Sequence, residues 1–164
     1  MSYVHMKQKT VFSALLALVA GACVFAFTLH ADPVSDEATA WMTDFEAAQA
    51  KATAENKPLL VDFTGSDWCI WCIRLDEEVF SKQAFQDFAK ENLILVEIDF
   101  PRKKAQPAEL KAQNQALAEK YGVRGFPTIL ILDAKGEVIQ KTGYRRGGPE
   151  KYVEHLQAIL ASAE

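Results

Sequence analysis

With 164 residues, 49% of them hydrophobic, the chain can bury one core and is too short for two comfortable domains. A formal net charge of -4 and a pI near 5.4 argue against nucleic acid or an acidic membrane surface as partner, since both favour a basic surface. Charged residues make up 24%, which is ordinary for a soluble globule.

The first stretch differs from the rest. Lys7 and Lys9 precede an apolar run from Val11 to Leu29, followed by His30, Ala31 and the polar Asp32-Pro33. A basic region, an apolar region and a small residue at the cut predict a signal peptide over residues 1–31, cleaved after Ala31. Met6 serves equally as the start. The apolar run is long for a signal and close to membrane-spanning length, so an uncleaved anchor is the alternative. Cys23, after Val19-Ala20-Gly21-Ala22, is open to two readings, a lipidated cysteine or a small apolar residue of the run. All of these place the rest of the chain outside the cytoplasm, because the lysines stay on the cytoplasmic side.

Residues 32–40 read as a flexible lead-in to a single domain over 41–164. From Trp41 to Asn56 the spacing predicts an amphipathic helix, with Trp41, Phe45, Ala48 and Ala52 on one face, broken by Pro58. Leu59 to Phe63 is a nearly continuous apolar run, the pattern of a strand buried on both faces. Gly65-Ser66-Asp67 is a turn and cap cluster that predicts a helix from Trp68 or Cys69 to Phe80. A second helical piece covers Gln83 to Lys90, and Leu93 to Ile98 is another buried strand. Pro101 to Pro107 reads as a basic loop, and Glu109 to Tyr121 as a helix with Leu110, Leu117 and Tyr121 on its apolar face, ended by Gly122. Thr128 to Leu132 is a strand, Ala134-Lys135-Gly136 a hairpin turn, and Glu137 to Thr142 an antiparallel partner. Gly147-Gly148-Pro149 opens a last helix, Glu150 to Ala161. This order predicts an α/β fold with a central mixed sheet flanked by helices.

Trp68-Cys69-Ile70-Trp71-Cys72 lies where a buried strand ends and a helix begins. Cysteines three apart on a helix share a face, with Cβ atoms roughly 5–6 Å apart, so a small adjustment opens or closes a disulfide. Cys69, at the helix start, meets free backbone N–H groups that favour a thiolate. It is the predicted exposed nucleophile, and the more shielded Cys72 resolves the mixed disulfide. A purely structural bridge is the first competing reading, but closing so short a loop removes little chain entropy. A metal site is the second, and a pair of inert buried thiols the third. Two thiolates fill half a zinc shell, and outside the leader only His155 remains as a histidine. The expectation is no metal and no cofactor beyond the redox-active pair itself.

Asp62 sits in the apolar strand leading into the motif. As a buried acid it would exchange a proton with Cys72 through water; the other reading turns it to solvent at a strand edge. Pro127 precedes a strand and cannot donate to its ladder. A cis Phe126–Pro127 bond would expose the Phe126 backbone to an extended substrate, whereas an ordinary trans bond would only start the strand.

Taken together, Leu60-Val61-Asp62-Phe63, the Trp68 to Cys72 motif and Val123-Arg124-Gly125-Phe126-Pro127-Thr128 occur in the order of the thioredoxin superfamily, which the chain resembles from about Trp41 to Ala161. Gly143 matches a late-strand glycine of that family. Gly65 to Cys69 and Leu75 to Phe80 look most like its exported bacterial members. The resemblance implies a thioredoxin-like fold, active-site roles for Cys69 and Cys72, the cis-proline role for Pro127 and the buried-acid role for Asp62. Ile70-Trp71 departs from the family's usual central dipeptides, Asp62 lies one residue farther from Cys69, and Phe100 to Gln115 is an insertion.

Trp68 is expected to pack on the sheet and Trp71 to contact substrate; Phe126 and Pro127 complete the substrate surface. Arg102-Lys103-Lys104 reads as a solvated loop, the alternative being that it steers acidic partners. The expected activity is thiol–disulfide exchange by a monomer in the periplasm, reducing client proteins and drawing electrons from a membrane donor. Potentials in this fold span about 150 mV, so an oxidase or isomerase is an alternative. A binding module for a metal or a client is another, and so is a structural envelope domain.

Overall fold

A computed structural model describes residues 40–163. The leader, its cleavage site, Cys23 and most of the lead-in lie outside the described residues. Among those described, no helix is long and apolar enough to cross a membrane.

In chain order the elements are α1 (Phe45–Glu55), β1 (Leu59–Thr64), α2 (Ile70–Leu75) with a π-helical turn over Asp76–Phe80, α3 (Gln83–Asn92), β2 (Ile94–Asp99), α4 (Ala108–Lys120), β3 (Thr128–Leu132), β4 (Val138–Thr142) and α5 (Gly148–Ala161). The sheet order is β2-β1-β3-β4, with β1 and β2 parallel and the other pairs antiparallel. This is the expected mixed sheet, and β1 is central rather than an edge.

Alternation along the strands divides the core. Leu59, Val61 and Phe63 of β1 join Phe45, Ala48, Ala52 and Leu117 on one side. Leu60, Leu95, Ile129 and Ile131 meet Leu75, Phe80, Phe85, Tyr152 and Leu156 on the other. The residues on this second face change character along the strand. Leu60 pairs with Leu95, then Asp62 with Glu97, then Thr64 with Asp99. The face is apolar at one end and acidic at the other, and the acidic end lies next to the cysteine motif.

Three boundaries differ from expectation. The first helix begins at Phe45, because Asp44 caps it by accepting the Ala47 N–H (3.0 Å). Trp41 and Met42 are instead extended. Met42 bonds along β2, its N–H donating to the Leu95 carbonyl (2.9 Å) and its carbonyl accepting from Glu97 (2.8 Å). Trp41 packs on Phe80, on the opposite side of the sheet from Phe45. The helix after the motif widens into a π turn at Asp76, which buries Val79 and Phe80 together. On α4 the apolar face is interrupted by Asn114, which is buried and donates to the Asp99 carbonyl (2.8 Å).

Candidate active site

β1 leads directly into the site. Its last residues carry the chain to Gly65, where a Cβ would stand 2.6 Å from the Trp68 indole, so only glycine leaves room for that ring. Cys69 is the N-cap of α2 and not a member of its first turn. Its carbonyl accepts the N–H groups of Cys72 and Ile73 (3.0 Å each), and its sulfur accepts the Cys72 N–H (3.3 Å). The two cysteines are joined by a disulfide, with Cα atoms 5.3 Å apart. Cys69 is not the exposed residue that the sequence predicts: both cysteines are buried, Cys69 at 7% and Cys72 at 5% exposure. The cap position and the disulfide draw the Cys69 sulfur inward against its own helix.

The asymmetry lies in what each sulfur faces. Cys69 lines an open groove of about 490 Å³ with Trp68, Phe100, Val123, Arg124 and Phe126. Cys72 lines a separate cavity of about 230 Å³ whose other walls include Asp62, Glu97, Asp76, Trp41 and Phe80. One residue of the pair lines the wider groove and the other a smaller pocket walled by acids.

Asp62 is buried on the central strand, which rules out the solvent-edge reading. Its Oδ1 has no hydrogen-bond partner among the described residues. Burial holds its carboxyl well above the usual range, and the charges of Glu97, Asp76 and Asp99 add to the effect. Burial also raises Glu97, with help from Asp99, and raises Asp76, with help from Glu77. Glu97 and Asp76 were not foreseen. The signals were present: β2 alternates Leu95, Glu97, Asp99 in step with β1, and Asp76 stands four residues from Cys72 on a helix.

On the outer side, the Phe126–Pro127 peptide is cis, as the resemblance implied. Phe126 stacks on Phe100 at 5.0 Å and meets the edge of Trp68 at 6.0 Å. Trp68 therefore packs against this aromatic group more than on the sheet, and its indole N–H donates to the Phe100 carbonyl (2.8 Å). Trp71 is 43% and Ile70 62% exposed, and Trp71 packs on Tyr144 at 5.2 Å.

The inserted segment has a structural role at this site. Asp67 accepts the backbone N–H groups of Arg102 (2.9 Å), Lys103 (2.7 Å) and Lys104 (3.0 Å). Ser66 donates to Asp99 through both its N–H (2.9 Å) and its hydroxyl (2.6 Å). The backbone of the basic loop is thus pinned to the approach to Cys69, while Arg102, Lys103 and Lys104 stay exposed, as expected of a solvated loop. Those amide bonds, that of Arg102 foremost, hold the Asp67 carboxyl below its usual range. The anchoring is complete above the unfolded-state value and is lost as pH falls through the lower folded value. Replacing Asp67 with Ala is expected to speed amide hydrogen exchange at Arg102, Lys103 and Lys104 at neutral pH. Wild type should match the variant only in acid.

The family model for the thioredoxin-like domain matches residues 45–159. The chain belongs to the thioredoxin-like family. Among its relatives is the disulfide bond reductase DsbH of Chlamydia pneumoniae, 36% identical over 128 residues, covering 78% of this chain and 76% of that one. The thiol:disulfide interchange protein DsbD of Salmonella typhi is 34% identical over 99 residues, 60% of this chain but only 16% of that protein. A solved structure of a DsbH oxidoreductase superposes with a TM-score of 0.74 at 35% identity, covering 79% of this chain and 89% of that one.

Proposed function

We propose that this thiol–disulfide oxidoreductase works as a reductase of client proteins outside the cytoplasm, with Cys69 as nucleophile and Cys72 as resolving thiol. The observation that carries the reading is the division of the pair between an open groove and a smaller, acid-lined pocket. In the reduced protein, Cys69 attacks one sulfur of a client disulfide. A Cys69–client bond forms, the client S–S bond breaks, and the client's other sulfur leaves as a thiolate. Cys72 gives its proton to the Asp62 carboxylate through the cavity, which is polar and roomy enough for water. Its thiolate then attacks the Cys69 sulfur, the pair closes, and the second client thiolate departs. Two electrons pass from the pair to the client, and no cofactor enters the balance.

Phe126, Pro127, Trp68 and the exposed Trp71 form the surface a client segment lies on. The name of the Chlamydia pneumoniae relative, a disulfide bond reductase, supports the direction. Turnover then requires a dithiol donor on the outer side of the membrane, and the basic, apolar leader supports export. The protein acts as a monomer.

Insulin reduction, measured together with the potential of the Cys69–Cys72 pair, tests the direction. The expected potential lies nearer the thioredoxin end of the scale, about −270 mV, than the strong-oxidant end, about −120 mV. A value at the oxidant end with no insulin reduction would overturn the reductase direction.

A further inference from the structure

The chain is acidic, yet its arginines gather around the cysteines. It has five, Arg74, Arg102, Arg124, Arg145 and Arg146, and four of them border the site. The Arg102 guanidinium lies 3.5 Å over the ring of Trp68, and that of Arg74 5.2 Å over the ring of Trp71. The two tryptophans flank Cys69 in sequence, one before it and one after, and each carries a guanidinium. Arg124 lines the groove that holds Cys69. Arg146, two residues beyond Tyr144, acts electrostatically on the hydroxyl of that residue, against which Trp71 packs.

Among the described residues, none of these four forms an ion pair. Among the described residues the ion pairs all use lysine: Lys51 and Lys57 with Glu55, and Lys151 with Glu154. Two nearby carboxylates are engaged elsewhere. Asp67 accepts three backbone amides, and Glu78 accepts the Tyr144 hydroxyl (2.6 Å). A guanidinium stacked on an aromatic face keeps its N–H edge free for a carboxylate.

We propose that the site selects clients whose reactive cysteine lies in an extended segment flanked by Asp or Glu, read by Arg102 and Arg124 on one side of Cys69 and by Arg74 and Arg146 on the other. The proposal rests on the reductase reading above and adds the class of client. Opposite charge raises the rate of encounter and disfavours wrong partners, and both effects weaken with salt.

The test uses the reduced protein and three disulfide-bridged peptides of equal length, with acidic, neutral or basic residues beside the cysteines. The expected kcat/KM order is acidic, neutral, basic, with the extremes about tenfold apart at low salt and converging at an ionic strength of about 0.5 M. Arg124→Gln and Arg102→Gln should each shrink the acidic-to-basic ratio severalfold, while Arg102→Lys, which keeps the charge, should retain most of it. Equal reduction of all three peptides would overturn the proposal and leave the reductase reading intact. Faster turnover of oxidised glutathione than of the acidic peptide would overturn the assignment to a protein segment. If no peptide is reduced at all, the reductase reading falls and takes the proposal with it.

Discussion

Cys69→Ser is expected to lower disulfide reduction by about 10³-fold or more, because it removes the atom that forms the first bond. Cys72→Ser should behave differently. It leaves the attacking sulfur in the open groove but removes the thiol that releases the client. The variant should accumulate a covalent Cys69–client adduct, visible as a mass increase that a reductant reverses. Both variants keep the helix start intact, since the cap carbonyl of Cys69 and the N–H groups it accepts belong to the backbone. The contrast between a dead variant and a trapping variant separates a redox pair from a structural bridge, in which the two residues would be equivalent. A trap at Cys69→Ser instead would reverse the assigned roles.

Asp62→Asn is expected to change stability and rate in opposite directions. The folded carboxyl lies above its unfolded value, chiefly through burial. Between the two values the folded state binds the extra proton, so stability is highest below the unfolded value and falls as pH rises through the folded one. The Asn variant has no such slope. At neutral pH it should be more stable than wild type, because the amide carries no charge for burial to penalise, as read from urea unfolding. In catalysis the same residue accepts the proton of Cys72. Its loss should slow release of the client on the order of 10²-fold near neutral pH. The deficit should shrink as pH approaches about 8.5, where a free thiol ionises unaided. A variant that is no more stable and no slower at any pH would remove Asp62 from the mechanism.

Much of this was legible in the sequence. β1 reads as a run of apolar residues broken by one acid, and that acid is indeed buried beside Cys72. The cis bond at Pro127 is what the family resemblance implied, and the hairpin at Lys135-Gly136 follows from local turn chemistry that a short motif carries. What escaped depends on partners far away in the chain. Trp41 fits a helical stripe with Phe45, but the cap at Asp44 and the edge of β2 pull it into the other half of the core. Asn114 looks like a solvated helix residue until the Asp99 carbonyl is found opposite it. The arginines sit in four separate segments, and only the fold brings Arg74, Arg102 and Arg124 around the cysteine motif. The acid-lined pocket needs β1, β2 and α2 at once, so no window along the chain contains it.

The most direct measurement is a pH titration of the reduced protein, followed by thiolate ultraviolet absorbance and by the alkylation rate of each cysteine. The account predicts that Cys69 ionises below the free-thiol value of about 8.5 and alkylates first, while Cys72 stays protonated and slow. Two thiols that titrate together at or above that value and alkylate at equal rates would contradict it.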